Sequence, residues 1–254
     1  ISSTIDKPTG LHVSDLDQDG DKDIVVASYD GDKISYFDNN GSQSFTERTV
    51  ASGSSNVNGP MYVDVADVDG DGQLDIISAS WDDDKVNWYE NTTAAPGTPT
   101  FTAADISTSA NGADGVFAID LDSDGDIDVL SASYIDDKIA WYENDGAANP
   151  SFTAATIATS ADNAKHVTAA DMDNDGDIDV ISASSGDNTI AWYENDGAAD
   201  PSFSAANINT SAGEAQFVIA YDVDQDGDMD LISASQSDDK VAWYRNDGNA
   251  NPTW

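Results

Sequence analysis

Cysteine is absent from the 254 residues, which excludes both a disulfide framework and a thiolate metal site. Basic residues are nearly as scarce: 9 Lys and Arg stand against 49 Asp and Glu, a formal net charge of −40. That balance excludes nucleic acid as a partner, because its binding rests on cationic contacts to phosphate, and excludes adsorption to an anionic membrane face. Long apolar runs are missing too. None approaches the roughly 18 residues of a membrane span, so no membrane insertion is expected. The chain opens at Ile1 with neither a basic n-region nor an apolar signal core, and reads as a mature or excised segment. Charge of one sign at this density disfavours a compact state unless cations neutralise part of it. Yet 39% of residues are apolar, with Trp and Tyr recurring regularly, which excludes a solvated disordered tail.

What is present is a repeat. The string D-x-D-x-D-G-x-x-D begins at Asp15, Asp67, Asp120, Asp171 and Asp222, at steps of 52, 53, 51 and 51 residues, so the period spans the chain. Before each loop lies a strand pattern, such as 11–14 or 165–168. After it comes a short apolar run ending in small residues, as in 76–80 or 180–184, closed by an Asp/Gly/Asn-rich turn. A third run alternates, as Ile139-Ala140-Trp141-Tyr142, and enters Asn-Asp-Gly, a strong turn signal. The fourth follows Asn149-Pro150.

Four short strands per unit of about 50 residues predict an all-β fold, a β-propeller of five four-stranded blades, with residues 1–254 as a single domain. A stacked solenoid would satisfy the period but needs polar capping repeats. Asn251-Pro252-Thr253-Trp254 matches the opening of a fourth strand, and the stretch through Ile5 and Gly10 matches the remainder, so the ring is expected to close by pairing of the N- and C-terminal segments.

The loops carry the chemistry. Calcium takes six to eight oxygens, so it needs several carboxylates converging from one tight turn. Alternate residues supply them: Asp15, Asp17, Asp19 and Asp23; Asp67, Asp69, Asp71 and Asp75; Asp120, Asp122, Asp124 and Asp128; Asp171, Asp173, Asp175 and Asp179; Asp222, Asp224, Asp226 and Asp230. Position six is glycine each time, allowing the sharp turn. Position seven, Asp21, Gln73, Asp126, Asp177 or Asp228, varies as a ligand offering only its backbone carbonyl can. Position two is apolar throughout and serves as an anchor. About five calcium ions are expected, one per repeat. Twenty-four of the 49 acidic residues lie in these five windows, so the ions account for half of the unusual charge.

On the face opposite the loops, the turns between second and third strands carry Tyr29, Trp81 and Tyr134, each near Asp or Lys. A ring beside hydrogen-bonding groups suits a sugar, stacking on its C–H face while polar groups order its hydroxyls. The same rings can instead cover neighbouring blades. A second set, His12, Tyr62, Phe117, His166 and Phe217, is read as one ring at equivalent blade positions around the axis. Trp88, Trp141, Trp192 and Trp243 alternate at strand period and are read as inter-blade core. No nucleophile with a positioned base and no asymmetric carboxylate pair breaks the repeat, so a non-catalytic protein is expected.

With this strand–loop–strand unit repeated along the chain, the sequence resembles the FG-GAP/VCBS repeat family of integrin-α-like propellers. The resemblance implies calcium loops between the first two strands of each blade, an extracellular setting, and adhesion or carbohydrate binding. The expected partner is accordingly a glycan or a cell-surface or matrix protein. The alternatives are a structural or assembly subunit of an extracellular matrix or filament, and a non-catalytic domain of a larger secreted polysaccharide-degrading enzyme.

Overall fold

The computed structural model describes residues 1–2, 4–93 and 97–254, which form nineteen β-strands and, among the described residues, no helix. Blade 1 comprises β1 (Pro8–Ser14), β2 (Asp23–Ser28), β3 (Lys33–Asn39) and β4 (Phe45–Ser52). Blade 2 comprises β5 (Pro60–Ala66), β6 (Asp75–Ser80), β7 (Lys85–Asn91) and β8 (Phe101–Ser107). Blade 3 holds β9 (Ala113–Ile119), β10 (Asp128–Ser133), β11 (Lys138–Asn144) and β12 (Phe152–Ala158). Blade 4 holds β13 (Ala164–Ala170), β14 (Asp179–Ser184), β15 (Thr189–Asn195) and β16 (Phe203–Asn209). Blade 5 is formed by β17 (Ala215–Tyr221), β18 (Asp230–Ser235) and β19 (Lys240–Tyr244). Within each blade consecutive strands pair antiparallel, and the five blades make a β-propeller.

The pattern of each strand follows from its place. In blades 2 to 4 the second strands are buried along their whole length, because a neighbouring blade covers either face. Their Val, Ile and Leu supply packing volume, and the closing Ser-Ala-Ser lets adjacent sheets approach. The outer strands turn Thr and Ala to solvent and send residues such as Phe152 and Ile157 into the cores on either side. Between the second and third strands runs a hydroxyl pair: Ser131 with Tyr142 at 3.3 Å, Ser182 with Tyr193 at 3.2 Å, Ser233 with Tyr244 at 3.2 Å. Blade 1 has Val26 and Phe37 there, so both polar partners are lost together and neither is orphaned.

Trp88, Trp141 and Trp192 are 3%, 1% and 5% exposed and form inter-blade core, as expected, whereas Trp243 is 50% exposed. The axial ring is different from the expected one. Tyr62, His166 and Phe217 meet at the axis, with His166 5.2 Å from Tyr62 and 4.0 Å from Phe217 between ring centroids. His12 and Phe117 sit two residues further along their strands, because they lie three residues before the loop and the others five. The two histidines are therefore not equivalent: His12 Nδ1 pairs with Asp64 Oδ1 at 2.8 Å, and His166 is buried. At the axial position blades 1 and 3 carry Gly10 and Gly115, where a Cβ would lie 2.8 Å from Met61 O and 2.9 Å from Lys165 O.

Closure by the chain ends is also different. β17–β19 form a three-stranded sheet, and neither residues 251–254 nor the described part of residues 1–7 adds a strand to it. Trp254 packs between blades 4 and 5, where Phe203 and Phe152 stand in their own repeats, but without strand pairing. Neighbouring blades pack through their first strands in sequence order, β1 on β5, β5 on β9, β9 on β13 and β13 on β17.

Candidate metal loops and the opposite face

Each acidic loop bridges the first and second strands of a blade at one end of the propeller. The glycine at position six has φ of 90° to 101° in all five copies, a left-handed conformation that side chains disfavour. That turn folds the loop back on itself, so the first carboxylate accepts from the glycine N–H, as Asp15 Oδ2 does from Gly20 at 3.1 Å and Asp67 Oδ2 from Gly72 at 2.9 Å. Positions one, three and five converge in the first two copies (Asp15, Asp17, Asp19; Asp67, Asp69, Asp71). Positions one, three and nine converge in the others: Asp120, Asp122, Asp128; Asp171, Asp173, Asp179; and Asp222, Asp224, Asp230. In each triad a carboxylate oxygen from every member lies within 4.8 Å of the rest, so five clusters, one per repeat, can hold a metal ion. The apolar anchors at position two are sealed in four copies, from Leu16 at 0% to Val68 at 2% exposure.

Two observations fit a cation. Oδ1 of Asp15, Asp67 and Asp171 is buried with no hydrogen-bond donor, although its partner oxygen is bonded to the glycine. A buried acceptor left bare is costly, and a hard cation would satisfy it. The loops also hold their protons unusually well. Burial, then the charges of Asp23 and Asp19, push Asp17 up to about 6, and burial pushes Asp75, Asp128 and Asp179 up to about 7. Carboxylates crowded this way ionise readily only when a positive charge sits among them.

Position nine does more than the sequence reading assigned to it. Asp128 Oδ2 accepts from Leu121 N at 3.1 Å and its Oδ1 from Asn144 N at 2.8 Å, so it staples the loop to the end of the third strand. Asp23, Asp75, Asp179 and Asp230 make the same two bonds in their blades. Trp88 Nε1 adds a third donor to Asp75 at 2.9 Å. The asparagine at the strand end carries the staple across blades: Asn144 Nδ2 donates to Val68 O, Asn195 to Leu121 O and Asn246 to Met172 O, each at position two of the preceding loop.

Position seven stands outside every triad. The carboxylates of Asp21, Asp126, Asp177 and Asp228 fill the space a Cβ would need at Gly41, Gly146, Gly197 and Gly248, the glycines of the turn after the third strand. The second copy departs at both places together, with Gln73 in the loop and Thr93 in the turn. A further acidic residue near the loops was not anticipated. Asp38 and Glu143 follow the third-strand tyrosine or phenylalanine, and their charges help raise Asp17 and Asp122, after burial. Counting one residue past the third-strand aromatic would have found it: Asp38, Glu90, Glu143 and Glu194. Blade 5 reverses the sign there. Arg245 donates to Asp224 Oδ2 at 2.6 Å and to Asp226 Oδ2 at 3.0 Å.

At the opposite end, the three aromatic turn residues part company. Tyr29 lies under Lys7, 3.8 Å from its ring centroid, and donates to Asp82 Oδ1 at 3.2 Å. Trp81 packs on Tyr134 across the blade boundary at 4.7 Å between centroids, and Lys165 Nζ lies over both rings at 5.1 and 4.3 Å. Lys165 is held by Asp114 at 2.9 Å. Beside Tyr134 and Lys165 opens a polar cavity of about 590 Å³, lined also by Asn163, Ser185, Asn188, Glu214, Gln216 and Gln236. Tyr134 thus lines the cavity, Trp81 backs it, and Tyr29 is elsewhere. The polar lining comes from two turns, from two first strands and from the residues just before those strands, and only the rarity of lysine could have drawn attention to Lys165 in the sequence.

Antiparallel blades around an axis, with an acidic loop joining the first two strands of each, define a β-propeller built from acidic-loop repeats. The FG-GAP-like repeat model matches residues 15–78, 67–131, 120–182 and 171–233, and the chain belongs to that family. No curated protein sequence matches it. Among solved structures it is similar to a catalytically inactive virginiamycin B lyase from Staphylococcus aureus with quinupristin, at 11% identity and a TM-score of 0.62, covering 98% of this chain and 73% of that one. It is similar to a candidate 6-phosphogluconolactonase from Bacteroides uniformis, at 14% identity and a TM-score of 0.65, covering 100% of this chain and 71% of that one. It is also similar to the V. cholerae biofilm matrix protein Bap1, at 22% identity and a TM-score of 0.50, covering 84% of this chain and 30% of that one. At these identities the likeness shows the fold.

Proposed function

We propose that this chain is a secreted, non-catalytic, calcium-binding propeller that recognises a glycan on the face opposite its acidic loops. One observation carries the reading: the cavity beside Tyr134, where an aromatic ring, an ammonium, a carboxylate and several amide side chains surround a volume of about 590 Å³. A sugar ring needs that mixture, with its C–H face on an aromatic and its hydroxyls on fixed donors and acceptors. Tyr134 is oriented by Trp81 and by Lys165, so the platform is set before a ligand arrives. Calcium is the cation of choice for the loops, since their donors are all hard oxygens on a short turn, whereas magnesium keeps its waters and demands a stricter octahedron. Its part is to hold the blades that carry the cavity. Extracellular calcium modules bind at roughly 10⁻⁴ to 10⁻³ M, and a site at 100 times its Kd adds about 2.7 kcal/mol to folding, which suits a calcium-rich setting outside the cell. The test is a glycan array probed with calcium-loaded protein, followed by calorimetry on hits. Gln236→Ala should weaken binding at least about tenfold at unchanged melting temperature, the loss of a little over 1 kcal/mol, and Tyr134→Ala should weaken it at least as much, with a lower melting temperature from its lost packing on Trp81. Silence on the array, or hits indifferent to both substitutions, would remove the glycan reading.

A further inference from the structure

One position of the repeat is left-handed in every blade: Lys7, Gly59, Gly112, Asn163 and Glu214 have φ between 49° and 65°. Each precedes a first strand, and its carbonyl accepts from the residue that opens the turn between the second and third strands, as Gly59 O does from Trp81 N at 2.9 Å and Glu214 O from Gln236 N at 3.1 Å. Glycine and asparagine enter this conformation readily, whereas glutamate crowds the backbone there with no short polar group to bond locally. An ill-suited residue held in a strained turn points to a use for its side chain. Lys7 finds its use within the fold, over the Tyr29 ring and beside Asp30. Glu214 instead lines the polar cavity.

No cation of the chain is free to meet the Glu214 carboxylate. Eight of the nine Lys and Arg residues pair with other carboxylates, and the ninth, Lys22, belongs to the first acidic loop at the opposite end. Lys165, the one cation in the lining, is neutralised by Asp114 at 2.9 Å. That pairing is not continued into blade 5, where the equivalent residue is Gln216, whose Nε2 donates to Glu214 O at 3.0 Å. The carboxylate of Asp162 adds a further negative charge, filling the space a Cβ would need at Gly186 in the cavity wall. The cavity is therefore net negative, in a molecule whose own charge is −40, and it repels a uronate or a sulfated sugar. A protonated amine supplies the cation that the fold withholds.

We propose, on the glycan reading above, that the cavity selects an amino sugar with a free, protonated amine, which donates a charge-assisted hydrogen bond to the Glu214 carboxylate while Gln236 and Ser237 meet its hydroxyls. A lysine side chain suits the place less well. It would bring the charge without hydroxyls for the Asn, Gln and Ser side chains that make up most of the lining.

Calorimetry in calcium at about pH 6, where such an amine keeps its proton, compares the disaccharide of glucosamine with its fully N-acetylated form and with the dipeptide Lys-Lys. Because a chain of this charge attracts any cation, each probe is measured on the original protein, on Glu214→Gln and on Glu214→Asn, the last placing in blade 5 the residue that blade 4 has. The original protein should prefer the free-amine disaccharide at least about threefold, by a margin that shrinks as salt is raised about tenfold. Both variants should lose that preference and keep their affinity for the acetylated form. Neither should melt below the original, and Glu214→Asn should melt about 2 °C higher because asparagine suits the left-handed turn. A preference that survives in both variants comes from the charge of the whole molecule, and equal binding of the two disaccharides to the original protein means there is none to explain; either result overturns the proposal and leaves the glycan reading standing. If Lys-Lys binds as tightly as the disaccharide and loses the same factor in Glu214→Gln, a peptide amine is the occupant and the proposal fails. If neither disaccharide binds, the proposal also fails, and the glycan array alone decides the glycan reading.

Discussion

Asp128 accepts two backbone N–H groups from inside a sealed environment, while Asp122, in the same triad, bonds only within its own loop. The two carboxylates therefore separate folding from metal binding. Asp128→Ala strands two buried donors, each worth about 1–3 kcal/mol when unsatisfied, and should destabilise the protein by about 3 kcal/mol even in excess chelator. Asp122→Ala should leave the chelated protein close to its original stability and remove the part of the calcium-induced gain that belongs to that loop. Chemical denaturation of both variants, with and without calcium, checks this. Equal losses in chelator would mean that position nine is no staple.

Among the elements, the fifth loop stands apart, because Arg245 puts a cation where four blades have an acid. Its guanidinium competes with an entering metal ion for Asp224 and Asp226, so this loop should fill last. Arg245→Glu should tighten it, though only by a few-fold, about what an exposed charge allows. A calcium titration followed by native mass spectrometry reads it directly: four ions before the fifth in the original chain, five over one range in the variant. Identical filling curves would leave Arg245 no role at the metal. Much of this architecture is legible in the sequence. The register of the loops, the glycine at position six, the anchors from Leu16 to Met172 and the buried tryptophans all follow from spacing, since each is a local consequence of turn or strand geometry. The axial ring was misread although the numbers were present: His166 lies five residues before its loop and His12 three, which in a strand is two positions along the same face. Closure was not legible at all. It depends on the wedge angle between sheets, set by side-chain volumes across an interface, and no spacing along the chain encodes that angle. Nor could sequence foretell the cavity beside Tyr134, whose lining comes from separate blades.

For the whole molecule the governing quantity is its charge of −40. With calcium stripped, Asp75, Asp128 and Asp179 keep protons up to about pH 7 and Asp17 up to about 6, whereas unfolded carboxylates lose theirs near 3.8. Between pH 4 and 7 the folded state thus binds more protons than the unfolded one, and its stability falls as pH rises through that window. His166 acts the other way, since burial lowers it to about 4 and charging it on unfolding costs stability below its ordinary 6.5, but it is one group against four. On the reading proposed above, calcium would take the place of the protons. The expected outcome is a melting temperature that drops from pH 5 to 7.5 in chelator and rises over the same range in calcium. A chelated protein that gains stability with pH would show that the loop carboxylates are not crowded as described.

The asparagines that end the third strands give these loops a direction. Asn144, Asn195 and Asn246 each grip the loop of the blade before their own, while the aspartate that accepts their N–H belongs to their own loop. The backbone of one loop and the clasp of the next blade are thus one bonded unit. The acidic rim is in this sense a chain of three links, tying the loops of blades 2, 3 and 4 to the strand ends of blades 3, 4 and 5, so that the rim and the inter-blade seams are held by the same bonds.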